Sequence, residues 1–386
     1  MTTIGVICEY NPFHNGHLTQ LQKIRQDFGA DSTVVCLMSG NYVQRGEPAI
    51  FDKSVRARAA VTCGADLVLE LPLTCALRSA EGFACGAVRI LDALNIEILS
   101  FGCETPDSDR ILATAKTLLN ERFLEELRAV VRETKLPFAA ARQKALEARG
   151  CWCPIRPNEI LAVEYCKAIL RFGYRIRPHM LCRAGDYHGA DHSAQEPSAS
   201  ALRRILAQDC DDWREAVPPA AAEIYEAAAR FTPDAGSRAV LARLRTLTEA
   251  DFSQAPYGSE GLWRKFMYAC KTQPTPELIL EATKSKRYAR ARLQRMLMCC
   301  FLGISEQALM QNAPYVRILA FNDRGRAFLQ ERKHGELPLV NAGQTPPDAE
   351  YYALETAAAA LYPLFCMDNR PISPMSEESC RIFYKH

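Results

Sequence analysis

The first hundred residues of this 386-residue chain switch between two hydrophobic periods, and that switching restricts the fold more than any other feature. "TIGVICEY", "STVVCLMSG", "DLVLELP" and "IEILSFGCE" are short, continuously apolar runs. Segments with helical spacing lie between them. In "HLTQLQKIRQDFG", Leu18, Leu21, Ile24 and Phe28 fall on one face and Gly29 stops the run. "DKSVRARAAVTCGA" predicts a helix capped by Asp52 and ended by Gly64; "AEGFACGAVRILDALN" predicts a third. A strand apolar at successive positions must be covered on both faces, and alternating helices supply the cover. The expected class is therefore α/β, with a parallel, Rossmann-like sheet.

From Pro106 to about Gly150 the pattern is helical, an insertion within this unit. "NEILAVEYCKAILRFG" is a further helix, opened by Asn158 and closed by Gly173, and "YRIRPHMLCR" is a returning strand. "PSASALRRIL" opens another helix at Ser198. Beyond about residue 208 the sequence is mainly helical and shows no internal repeat. A boundary is expected near residues 190–210. It would divide a nucleotide-binding domain, 1–195, from a mainly helical domain, 196–386.

Composition narrows the function classes. Hydrophobic residues are 48% and charged residues 24%, ordinary for a soluble globular protein. Net charge is 47 minus 45, or +2, so any nucleic-acid surface must be a local patch. The start of the chain has no basic leader, and the longest apolar stretch, Met296 to Ile304, falls far short of a membrane span. Sixteen cysteines are scattered through mostly apolar segments with no CxxC pair. Reduced, buried thiols in a cytoplasmic protein are expected, with no membrane and no stable protein partner implied.

The chemistry concentrates in "EYNPFHNGHL", Glu9 to Leu18. It follows the first strand and opens the first helix, the place where open parallel sheets bind ligands. Gly16 lets a ligand approach the backbone, and the helix N-terminus favours an anion. His14 and His17 add side-chain donors, a combination suited to a triphosphate under attack at its α-phosphorus, where charge gathers on non-bridging oxygens. Half of a metal site is one alternative, although no nearby Cys, Asp or His completes a ligand set. A pair of histidines that merely satisfies a turn is another. Neither GxxxxGK[ST] nor GxGxxG occurs, which argues against P-loop ATPases and NAD enzymes.

"HNGH" resembles the HxGH signature of the nucleotidyltransferase superfamily. "SASALR", Ser198 to Arg203, resembles that superfamily's second motif in degenerate form, with Ser200 and Arg203 as a clamp for the β- and γ-phosphates. The blocks "VICEYNPFHNGHL", "MSGNYVQRGEPAIFDKSVRARAAVTCGADLVLELP", "PNEILAVEYCKAI", "KRYARARLQRMLM" and "FNDRGRAFL" are similar, in order, to those of the bacterial tRNA-Met cytidine acetate ligase family. They run from residue 4 to about 330. The resemblance implies an ATP-dependent ligase. Acetate attacks the α-phosphate to give acetyl-adenylate, and the acetyl group passes to the exocyclic amine of the wobble cytidine in elongator tRNA-Met.

The resemblance also implies site residues. His14 and His17 would be the catalytic phosphate contacts. The nucleotide segment Ile7 to Gln20 would include Ile7, Cys8, Glu9, Tyr10, Asn11, Pro12, Phe13, Asn15, Gly16, Leu18, Thr19 and Gln20. Gly102 would lie beside the adenosine, with Asn158 and Arg183 as further ATP contacts. "YHG", Tyr187 to Gly189, carries Gly189 where the family has an acidic residue after the histidine, which leaves His188 without an implied role. Magnesium is the expected companion of ATP, with no carboxylate assignable to it.

Two basic stretches are candidates for tRNA. "ATKSKRYARARLQR" holds Lys284, Lys286, Arg287 and Arg290, with Tyr288 able to stack on a splayed base. If helical, Lys286, Arg287 and Arg290 share a face. "NYVQRGEPAIFDKSVRAR" brings Gln44, Arg45, Lys53, Arg56 and Arg58 near the nucleotide. A solvated helix face competes with the first reading. At the level of function, a small-molecule adenylyl- or cytidylyltransferase of cofactor synthesis and a non-catalytic RNA- or nucleotide-binding protein compete with the ligase.

Overall fold

The computed structural model describes residues 1–105, 107–134, 136–182, 198–208, 211–332, 335–368, 373–375, 377 and 381–385. The first half alternates as its periods predict. β1 (Thr3–Cys8) leads through α1 (Asn15–Phe28) to β2 (Thr33–Ser39). A short antiparallel ribbon follows, β3 (Tyr42–Val43) with β4 (Glu47–Pro48). Next come α2 (Lys53–Thr62), β5 (Leu67–Leu71), α3 (Leu73–Ala76), α4 (Ala80–Ala93) and β6 (Ile98–Cys103). The insertion is three helices, α5 (Ser108–Leu119), α6 (Glu121–Thr134) and α7 (Phe138–Ala148). α8 (Pro157–Phe172) then returns the chain to β7 (Arg177–Cys182), and Ser198 caps α9 (Ala199–Ala207).

Strands β5, β2, β1, β6 and β7 are adjacent in that order, each neighbouring pair parallel. Alternation along β2 explains its unbroken apolar run. Val35 and Leu37 face one core with α4, α5 and α8, while Val34, Cys36 and Met38 face the other with α1, α2 and α9. Both faces are apolar because both are covered. The described cysteines are free thiols, and burial pushes Cys166 and Cys299 up to about 12.

The second half is largely helical, with its own core around Leu244, Phe266, Ile279, Met296 and Phe301. It also contributes strands to the sheet. β8 (Val316–Asn322) pairs antiparallel with β5, and β9 (Leu339–Val340) and β10 (Phe383–Lys385) pair parallel with β8. The sheet is thus completed by segments from far down the chain. The block "FNDRGRAFL" serves this junction. Asn322 caps the following helix and donates to Asp66 Oδ1 at 2.9 Å, and a Cβ on Gly325 would meet the Asp66 carbonyl oxygen at 2.1 Å.

Candidate active site

The site is built on the turn between β1 and α1. His14 is the N-cap of α1, and its Nδ1 accepts from the Gly16 N–H at 3.1 Å. The His14 N–H in turn donates to His17 Nδ1 at 3.3 Å, a reciprocal capping box made of two imidazoles. A neutral imidazole that accepts at Nδ1 carries its proton on Nε2. The sequence H-x-G-H therefore fixes the tautomer of both rings through the backbone and makes each Nε2 a donor. The ring centroids lie 3.9 Å apart at the first turn of α1, where backbone N–H groups also favour an anion.

Neighbouring elements hold this turn from below. Tyr10, with φ of 44°, drops its buried ring among Phe13, His17 and Cys36. The Phe13 N–H donates to the Tyr225 hydroxyl at 3.0 Å, and Asn11 Oδ1 accepts from Ile50 N–H. Arg56 is fully buried and donates to the carbonyls of Glu9, Ser39, Gly40 and Phe51, tying the carboxyl ends of β1 and β2 together. Lys53 is likewise buried, held between Glu70 and Glu377. Arg56 and Lys53 are thus structural and out of reach of an RNA, contrary to the expectation for their stretch. Arg58 lies over the Phe383 ring, and Arg45 is exposed in the β3–β4 turn.

The segment Ile7 to Gln20 divides by direction. Cys8, Tyr10, Pro12 and Phe13 are buried, and burial pushes the Cys8 thiol well up. Ile7 and Leu18 pack against the two cores, and Asn15 donates to the Glu215 carbonyl. The Glu9 carboxylate accepts from Gln44 N–H at 2.9 Å, and Thr19 is exposed. Gln20 donates to the Ser100 carbonyl of β6.

The second motif arrives beside the first. Arg203, on α9, donates to the Asn11 carbonyl at 2.9 Å and to Ser200 Oγ at 3.1 Å. Burial lowers its guanidinium pKa, opposed by Glu47 and Glu9. Gly102 is the penultimate residue of β6, and Asn158 on the first turn of α8 donates to Glu104 Oε1 at 2.7 Å. Sequence reasoning missed Glu104 and Tyr225. Glu104 stands two residues beyond Gly102 in "SFGCE", a signal available once that glycine is singled out. Tyr225, more than two hundred residues from Phe13, has none. Arg183 lies outside the described residues.

The basic stretch does not form one helix. The helix Pro276–Thr283 ends at Lys284, Ser285 and Tyr288 close a turn, and the next helix spans Arg290–Leu302. Lys286, Arg287 and Arg290 consequently share no helical face. Lys284 pairs with Glu281, Arg287 with Glu260, and Arg290 with Glu277 and Glu281, all partly exposed. The later residues of the block are structural. A Cβ on Gly46 (φ 79°) would meet Arg295 N at 2.7 Å, so the β3–β4 turn packs onto the helix Arg290–Leu302. Gln294 holds Glu47 there at 2.9 Å.

Fold and site together define a nucleotidyltransferase: residues 1–375 match the family model described as HIGH Nucleotidyl Transferase, and the chain belongs to that family. Its relatives are more specific. It is 35% identical over 370 residues to the tRNA(Met) cytidine acetate ligase of Acetivibrio thermocellus, covering 88% of each chain. With the same ligase of Bacillus subtilis it shares 34% over 365 residues, covering 88% of this chain and 87% of that one. Two crystal structures of Thermotoga maritima TmcAL, 28% identical, superpose over 100% of both chains. The apo form has a TM-score of 0.90 and the form bound with alpha-thio ATP 0.89. The chain is therefore a member of the tRNA(Met) cytidine acetate ligase family.

Proposed function

We propose that this protein is an ATP-dependent acetate ligase acting on elongator tRNA-Met in the cytoplasm. Acetate attacks the α-phosphorus of ATP and pyrophosphate leaves, giving acetyl-adenylate. The cytidine amine then attacks the acetyl carbonyl, AMP departs, and N4-acetylcytidine remains at the wobble position. The observation that carries this reading is the pair of imidazoles whose Nδ1 atoms are occupied by backbone donors. Their Nε2–H groups suit the non-bridging oxygens of a pentacovalent phosphorus, a charge-stabilising role that needs no covalent protein intermediate. Ile7 to Gln20 would be the nucleotide segment, with His14 and His17 on the phosphates; Gly102 would lie beside the adenosine, Asn158 and Arg183 would be further ATP contacts, and Ser200 and Arg203 would clamp the β- and γ-phosphates. Arg203 already shares the Asn11 carbonyl with that turn.

Among the described residues no group of three or more His, Cys, Asp or Glu side chains converges on a cation site. Magnesium would accordingly travel with the triphosphate oxygens, and no step here is routed through it. No helix of the described residues is long and apolar enough to cross a membrane.

The test is isotopically labelled acetate with ATP and tRNA-Met, read by mass spectrometry of the nucleosides. Labelled acetylcytidine is the expected product. Pyrophosphate exchange that depends on phosphopantetheine or nicotinate mononucleotide, and not on acetate, would replace this reading with a cofactor-synthesis transferase.

Lys284, Lys286, Arg287 and Arg290 are proposed to neutralise tRNA phosphates. Their acidic partners are exposed, and such pairs are worth about 0–1 kcal/mol, so a phosphate can displace them. Neutralising Arg287 and Arg290 together should reduce the salt slope of tRNA binding by about two, near one for each phosphate left without its cation, while acetyl-adenylate formation is unchanged. Filter binding across a salt series, beside acetate-dependent pyrophosphate exchange, checks both halves.

A further inference from the structure

We propose that Glu104 is the ribose-recognising residue of the ATP site, its carboxylate accepting a hydrogen bond from a ribose hydroxyl. This deepens the reading of ATP as substrate and rests on it. β1 and β6 are parallel neighbours with Gly5 opposite Leu99. Three residues further along each strand (5 + 3 and 99 + 3), Cys8 stands beside Gly102, so the chain leaves both strands at the same edge of the sheet. Adjacent strands lie about 4.8 Å apart. A nucleotide whose phosphates sit at the N-terminus of α1 therefore has its sugar within reach of the segment that follows β6.

Glu104 lies in that segment. Glu104 Oε1 is held by the Asn158 amide at 2.7 Å, and Asn158 is fixed by its place in the first turn of α8. Glu104 Oε2 is buried and meets no donor among the described residues. A buried carboxylate oxygen without a donor is costly, and one that is pre-oriented by its sister atom is an acceptor awaiting a ligand donor. An ionised carboxylate only accepts, so the ligand must bring an N–H or O–H. The phosphates bring neither; the nucleoside brings the ribose hydroxyls and the adenine 6-amine, and the ribose is the nearer of the two to the phosphates. Dinucleotide-binding Rossmann folds likewise use an acidic side chain to accept from a ribose hydroxyl, and ligands of open parallel sheets sit beyond the carboxyl ends of the strands. Asn158, beyond the nucleotide contact proposed for it, then also positions Glu104.

The experiment compares ATP with 2′-deoxy-ATP, 3′-deoxy-ATP and the triphosphate of purine riboside, which lacks the 6-amine, in acetate-dependent pyrophosphate exchange. The wild-type protein should favour ATP over at least one deoxy analogue by about 10- to 100-fold in kcat/KM, the worth of one charge-assisted hydrogen bond. Glu104→Ala should abolish that preference while lowering kcat/KM for ATP to the level of the deoxy analogue. Glu104→Gln, which leaves an oxygen for Asn158, should fold normally and retain part of the preference. If both variants lose activity on every triphosphate in equal proportion, or if the purine analogue alone loses its penalty, the assignment to the ribose is overturned. Should the wild-type protein show no acetate-dependent exchange, the ligase reading itself fails, and the two failures are thereby separated.

Discussion

Replacing His17 by alanine lowers the rate of acetyl-adenylate formation by about 10²–10³-fold, the cost of removing one preorganised donor from a developing oxyanion. The fold should survive, because the ring is only half-buried and its neighbours Tyr10 and Phe13 are anchored elsewhere. The ring does two things at once, and asparagine and glutamine separate them. Asparagine can place an oxygen near the Nδ1 position and keep the hydrogen bond from the His14 N–H, but it has no donor where Nε2 lies. Glutamine reaches the Nε2 position with an N–H. If His17 acts on the phosphate directly, His17→Gln retains more exchange activity than His17→Asn. If it only shapes the turn, the order reverses. Acetate-dependent pyrophosphate exchange, with thermal unfolding as the control for folding, decides between them.

The alternation that defines the parallel core was legible because it is local. Each of β1, β2, β5 and β6 needs both faces covered, and each helix carries its apolar stripe within a few turns of the strand that precedes it. Asp52 and Ser198 as caps, and Gly173 in the left-handed conformation, could be read from single residues for the same reason. The turn with His14, Gly16 and His17 was equally local. What escaped depends on partners distant in sequence. "VRILAFN" is an apolar run in a helical half, and nothing nearby says that it crosses back to lie antiparallel against β5. The charges of Lys53 and Arg56 look like surface charges in a basic stretch. They are buried because Glu70, Glu377 and the carbonyls at the ends of β1 and β2 converge on them from four segments. The basic run at Lys284–Arg295 has the composition of a helix, yet a turn interrupts it at Ser285–Tyr288 where the neighbouring helices must change direction.

The buried charges carry the second large expectation. Lys53 Nζ lies 2.8 Å from Glu70 and 2.6 Å from Glu377; Arg317 reaches Glu377 and Glu355 at 3.1 Å, and the Tyr315 hydroxyl donates to Glu355 at 2.8 Å. With every group ionised, two cations face three carboxylates, and one negative charge is in excess. Glu70 absorbs that excess: burial, opposed by Lys53 and reinforced by Glu377 and Glu355, pushes its carboxyl up to about 7. Its folded value exceeds the ordinary 4.5, so the native state binds the extra proton between those pH values. Stability contributed by Glu70 is therefore greatest on the acid side and declines as pH rises from about 4.5 to about 7. Lys53→Met leaves three carboxylates against one guanidinium. Above pH 7.5 the cost should be about 3–5 kcal/mol, the penalty for an uncompensated buried charge. Near pH 5.5 a proton on Glu70 removes one of the two excess charges, so the cost should be smaller, with one excess carboxylate still left beside Arg317. Urea unfolding of both proteins at the two pH values measures the difference. An equal cost at both would mean that the Glu70 proton is not coupled to Lys53. A cost that grows toward high pH would mark the cluster as the electrostatic clasp that joins α2 and β5 to β8 and the C-terminal tail, beneath the loop that Gly40 begins and Gly46 docks.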